Sequence, residues 1–129
     1  MNAINFKREI TDTLDHAIER ATKALGAEGF GILTRIDMHS KIKEKTGKDI
    51  VPTVILGACN PTLAYEAYVA NSDVASLLPC NAVVREVAPG KISLEFAAPS
   101  GMMRILGDEK LTALAREADT RIERALGAA

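Results

Sequence analysis

Apolar positions along this chain switch between two spacings, and the switches divide it into elements. Ile4 and Phe6 alternate with polar neighbours and predict a short first strand. Leu14, Ala17, Ile18, Ala21 and Leu25 then recur at three and four residues, the spacing of one helical face. Thr11 is the expected N-cap, with Asp12 and Asp15 in the first turn, where the helix dipole favours negative charge. Gly26 and Gly29 end this helix, and residues 30–36 read as a strand carrying Ile32, Thr34 and Ile36 on one face. Leu33 and Arg35 fall on the other face. Asp37 caps a short polar helix over residues 38–45, which stops at Gly47. Thr53–Cys59 is apolar on both faces and reads as a central strand.

Asn60-Pro61 is a strong helix start, with Asn as the cap and Pro at the first helical position. The Ala- and Tyr-rich helix after it breaks at Asn71-Ser72-Asp73, and Ser72 caps a further short turn through Leu78. Cys80 opens a strand that runs over residues 81–87, and Pro89-Gly90 turns the chain. Ile92, Leu94 and Phe96 alternate with Lys91, Ser93 and Glu95, so the pair reads as a hairpin. Pro99-Ser100-Gly101 ends the last strand, and Asp108 caps a long final helix marked by Leu111, Leu114, Ala118, Ile122 and Leu126. Strand, helix, four strands, helix is an α+β order. It predicts one antiparallel sheet with two amphipathic helices on one face and short helical insertions.

A chain of 129 residues is the length of one domain, here residues 1–129. With 47% hydrophobic and 26% charged residues it has the composition of a folded globular protein. Sixteen basic residues face seventeen acidic ones, so neither nucleic acid nor an anionic membrane is expected as a partner. With no Trp, two Tyr and three Phe, no base-stacking platform is expected either. Charge arrives at Lys7, Arg8 and Glu9, too early for a hydrophobic leader, and no apolar run is long enough to span a bilayer. Two cysteines make no secreted disulfide framework, so a cytoplasmic location with reduced thiols is expected.

One echo carries chemical content: Cys59-Asn60 closes a strand and Cys80-Asn81 opens the next. If those strands are antiparallel neighbours, the two thiols meet at one edge of the sheet. Cys59 precedes a helix N-terminus, whose free N–H groups and dipole favour a thiolate and an anion. Arg35 and Arg85 supply positive charge if the sheet places them on that side. Cys59, Asn60, Cys80, Asn81, Arg35 and Arg85 are therefore the candidate ligand-binding residues for a small molecule or anion. Three functions stay open: such a binding module, a thiol-based redox or sulfur-handling protein, and a homodimeric interaction domain without chemistry. Against a functional cysteine site stands the plain alternative that both cysteines are core filler.

Other candidates are weaker. His39 with Cys59 and Cys80 makes a three-ligand set without the usual pairing, and Met102-Met103 with Met38 is a loose soft-metal set, so no metal is expected. His16 stands on an exposed helix face. The glycine-rich run from Gly26 to Gly31 precedes a strand instead of following one, so no nucleotide cofactor is expected. No nucleophile stands beside an orienting base, and no catalytic residue is assigned.

Three stretches carry a resemblance. They are Gly29-Phe30-Gly31-Ile32-Leu33-Thr34-Arg35-Ile36-Asp37, Ile55-Leu56-Gly57-Ala58-Cys59-Asn60-Pro61 and Leu77-Leu78-Pro79-Cys80-Asn81-Ala82-Val83-Val84-Arg85. In this order and with these gaps the chain resembles the domain-of-unknown-function family three-hundred-and-two over nearly its whole length. The resemblance implies a TATA-box-binding-protein-like β-α-β(4)-α fold and a small homodimeric cytoplasmic protein. It implies no activity and no catalytic residue.

Overall fold

The computed structural model describes residues 4–129; Met1, Asn2 and Ala3, which begin the segment read above for a leader, lie outside them. Five strands form one sheet: β1 (Asn5–Thr11), β2 (Gly31–Asp37), β3 (Thr53–Cys59), β4 (Cys80–Ala88) and β5 (Lys91–Ala97). The spatial order is β1-β5-β4-β3-β2, and every neighbouring pair is antiparallel. Helix α1 (Leu14–Ala27) joins β1 to β2, α2 (Met38–Thr46) joins β2 to β3, and α3 (Pro61–Ala70) with a 3-10 turn (Ser72–Leu77) joins β3 to β4. The short α4 (Pro99–Met103) and a second 3-10 turn (Arg104–Leu106) lead to the long α5 (Glu109–Ala128).

The order strand, helix, four strands, helix is the one the spacing predicts. Alternate strand residues such as Val54, Leu56, Val84, Leu94 and Phe96 are buried in one cluster with Ile18 and Leu25 of α1 and with Ile122 and Leu126 of α5. Both amphipathic helices thus cover the same face of the sheet. A second cluster forms where α3, the first 3-10 turn and α4 pack on the amino-terminal half of α5, around Val74, Met103 and Leu111.

Three elements differ from expectation. First, β1 runs on to Thr11, and the α1 cap is Thr13, whose Oγ1 accepts from the His16 N–H at 3.2 Å. The alternation continues as Phe6, Arg8, Ile10, but with a charge in its middle. Arg8 faces the helix side because it donates to the carbonyls of Leu126, Gly127 and Ala129, each at 2.9 Å. It supplies the cation that the last turn of α5 lacks in its own sequence. Second, a bulge between Ile32 and Thr34 re-aims β2, so Ile32 joins the core while Thr34 and Ile36 pair with Gly57 and Ile55 on the uncovered face. Third, Pro99-Ser100-Gly101 opens α4 rather than a loop, and the Ser100 N–H is held by Asp119 Oδ1 at 3.1 Å.

Candidate functional site

The end of β3 fixes the site. In the register, Cys80 lies opposite Ala58 and Gly31 lies opposite Cys59, so the start of β2, the end of β3 and the start of β4 share one edge. The cysteines are one residue out of step, and both line one small cavity with Phe30, Leu63, Met103 and Leu114. At about 30 Å3 this cavity has room for little more than a water molecule. Drug-sized ligands occupy roughly 300–1,000 Å3.

Burial in this apolar lining pushes the Cys80 thiol up to about 11, with the neighbouring Cys59 thiol and the Asp119 carboxylate adding to the rise. Burial raises the Cys59 thiol as well. The expected thiolate at Cys59 is therefore corrected. A helix dipole is worth about 0.3–1 kcal/mol, whereas loss of hydration can move a pKa by several units.

Asn60 is only 6% exposed and does what the sequence predicts: its Oδ1 accepts the Leu63 N–H at 3.1 Å and caps α3. The accounting of the first turn leaves a donor over. Pro61 has no N–H, Leu63 is taken by Asn60 Oδ1, and Ala64 donates to the Asn60 carbonyl at 2.9 Å. Among the described residues the N–H of Thr62 has no partner. Because Oδ1 is fixed by the cap, Asn60 Nδ2 is fixed too, and among the described residues it has no hydrogen-bond partner.

Gly29 stands beside it at φ +86°, closing α1 with its N–H on the Gly26 carbonyl at 3.0 Å. A Cβ here would come within 2.9 Å of Asn60 Nδ2 and 3.7 Å of Arg121 Nη1. The missing side chain is thus the floor of a cradle walled by two donors. Arg121 is anchored through its other nitrogen, which donates to Glu117 Oε1 at 3.1 Å, and Nη1 is left to the groove. Gly29, Asn60, Thr62 and Arg121 line this groove, which holds about 310 Å3. At Gly29 and Arg121 it meets a second groove of about 520 Å3 between α1 and α5.

The other candidates fall elsewhere. Asn81 pairs with Gly57 and is exposed on the face away from α1 and α5. Arg85 pairs with Thr53, six residues before Cys59, which is about 20 Å along a strand. There it faces Glu95 at 3.5 Å. Arg35 bonds Asp37 at 2.9 Å on the exposed edge strand. Neither arginine reaches the cysteine end, because strand-borne cations are spread along the sheet by its register. Arg121 takes their place. It stands on α5 in an ordinary i,i+4 pair with Glu117, and nothing in its local sequence marks it. His39 is likewise removed from Cys59 and Cys80: its Nδ1 accepts the Thr53 N–H at 3.0 Å. Among the described residues no group of three or more His, Cys, Asp or Glu is placed to hold a metal ion. No described helix is long and apolar enough to cross a membrane.

Known proteins give two findings. A family model described as "Domain of unknown function DUF302" matches residues 6–129. The crystal structure of an uncharacterized conserved DUF302 protein from Bacillus stearothermophilus superposes with a TM-score of 0.89. Its sequence is 28% identical, and the match covers 98% of both chains. No curated protein matches the sequence.

Proposed function

This chain belongs to the family described as domain of unknown function DUF302, and from that premise we propose that it is a binding module for a small anionic ligand, held at the amino terminus of α3. One observation carries the proposal: Asn60 Nδ2 and Arg121 Nη1, both unpaired, converge over Gly29 beside the free Thr62 N–H. Helix N-termini favour anions through their orphan donors and dipole. An arginine in the cradle adds a charge-assisted hydrogen bond, the stronger kind. The nearest carboxylates, Glu117 and Glu28, are each held by an arginine, and among the described residues no nucleophile stands with them, so binding is favoured over catalysis.

Thiol chemistry is the weaker alternative. It needs a thiolate at neutral pH, and both thiols are pushed the other way by burial.

Isothermal titration with inorganic phosphate tests the proposal on the wild type, Asn60→Ser and Arg121→Met. Serine replaces the carboxamide with a hydroxyl that can still cap the helix and removes the amide that carries Nδ2. Each substitution is expected to weaken binding by about tenfold or more, the size of one hydrogen bond to a charged group. Unchanged affinity in both variants, or no uptake of phosphate, sulfate or acetate by the wild type, refutes it.

A further inference from the structure

The second groove adjoins the anion cradle and has a different chemistry. Its walls are Ala27, Glu28 and Gly29 from the end of α1 and Glu117, Thr120, Arg121 and Arg124 from one face of α5. Its acids are already matched: Arg124 Nη1 meets Glu28 Oε1 at 2.8 Å, and Arg121 meets Glu117 at 3.1 Å. Resting on the anion-binding reading above, we propose that the ligand is a phosphate ester of a polyhydroxylated carbon chain. Its phosphate sits over Gly29 and its hydroxyls run into the groove toward Arg124.

Three features select that class. The groove's volume of about 520 Å3 lies in the range of small-molecule sites, so the site has room for more than a bare oxyanion. The walls carry acceptors and donors together: two carboxylates, two guanidinium groups and the Thr120 hydroxyl, which donates to the Arg116 carbonyl at 3.1 Å and keeps its lone pairs to accept. A hydroxyl both donates and accepts, so a polyol satisfies such a wall along its length. A bare ammonium group finds each carboxylate already neutralised by an arginine. Finally, neither groove carries an aromatic side chain, and Leu63 is the largest apolar one. A nucleobase has nothing to stack on.

The residues that read the hydroxyls lie beyond the cradle, and this separates the two proposals experimentally. Binding of inorganic phosphate, ribose 5-phosphate, free ribose and adenosine monophosphate is measured by titration calorimetry on the wild type, Arg124→Ala and Thr120→Val. Both positions are exposed, so the variants are expected to fold, and thermal melting checks this. Ribose 5-phosphate is expected to bind about tenfold tighter than phosphate, from one or two added hydrogen bonds to charged groups. Arg124→Ala removes most of that gain, while Thr120→Val, which changes no charge, removes part of it and leaves phosphate affinity within about twofold. Free ribose shows no uptake at the same concentration. If phosphate binds through Asn60 and Arg121 but the ester gains nothing, the polyol inference is overturned and the anion site stands. An ester gain that survives both variants overturns it equally. Tighter binding of adenosine monophosphate than of ribose 5-phosphate refutes the exclusion of bases. If phosphate does not bind at all, both proposals fall together.

Discussion

Removing the Cys80 sulfur should change how the protein responds to alkali more than how stable it is at neutral pH. The thiol's pKa rises from 9.0 to about 11 on folding, because its anion would be formed in an apolar cavity beside Cys59 and within the field of Asp119. A folded-state value above the unfolded one means the native state holds its proton longer. The resulting stability is fully present below about pH 9 and is lost as pH rises through about 11. At 1.36 kcal/mol per pH unit the difference amounts to about 2–3 kcal/mol. In Cys80→Ala this component is absent, while lysine and tyrosine titrations common to both proteins cancel in the comparison. The two proteins are unfolded in urea at a series of pH values from about 7.5 to about 11.5. The stability of the wild type relative to the variant is expected to fall by about 2–3 kcal/mol across the series, whatever its value at neutral pH. A gap constant with pH would sink the claim that Cys80 is desolvated. It would also restore the thiol as a candidate nucleophile.

Two further outcomes follow from contacts at Arg20 and Gly57. The Arg20 guanidinium, 2.8 Å from Asp12, holds that carboxyl down to about 2 from 3.8. A lowered value stabilises above about pH 4 and is lost as pH falls toward 2, so Arg20→Met should move acid unfolding to higher pH; coincident acid limbs for the two proteins would refute this. At Gly57 a Cβ would overlap Thr34 Oγ1 and come within 2.8 Å of Pro79, so Gly57→Ala is expected to cost about 1–3 kcal/mol in denaturant unfolding. Combining it with Thr34→Ala should recover part of the loss, and equal losses in both backgrounds would clear Thr34 of blame.

The elements were legible because each carries its own signal. Asn60-Pro61 announces α3, Asp108 announces α5, and the alternation of Ile92, Leu94 and Phe96 announces β5. What failed did so where a distant partner decides. Arg8 looks like a break in β1 until the last carbonyls of α5 are beside it. The bulge in β2 depends on pairing with β3, which no local spacing encodes. In the site, Asn60 and the meeting of the cysteines at one cavity were readable from antiparallel neighbours. The thiol protonation was not, because the dipole argument uses only adjacent residues while desolvation sums over Phe30, Leu63 and Leu114 from three separate stretches of the chain. Arg35 and Arg85 were chosen as the nearest strand cations, but a sheet spaces its side chains by register, and theirs face other acids.

The juxtaposition of Gly29 with Asn60 is a consequence of topology. Strand β2 begins where β3 ends, since Gly31 pairs with Cys59. The chain enters β2 straight from the closed end of α1 and leaves β3 through a single capping residue into α3. With so few residues between strand and helix on either side, the carboxyl end of α1 and the amino end of α3 must lie next to one another. A donor-rich helix start therefore stands beside an acceptor-rich helix end, and α5 crosses close enough for Arg121 to reach Gly29. The apolar cavity and the polar groove are two sides of this one junction, with Asn60 lining both. The sulfurs fall on the side packed by Leu63 and Leu114, and the unpaired donors fall on the side open to water. That division is why the cysteines that draw the eye in the sequence mark the position of the site without supplying its chemistry.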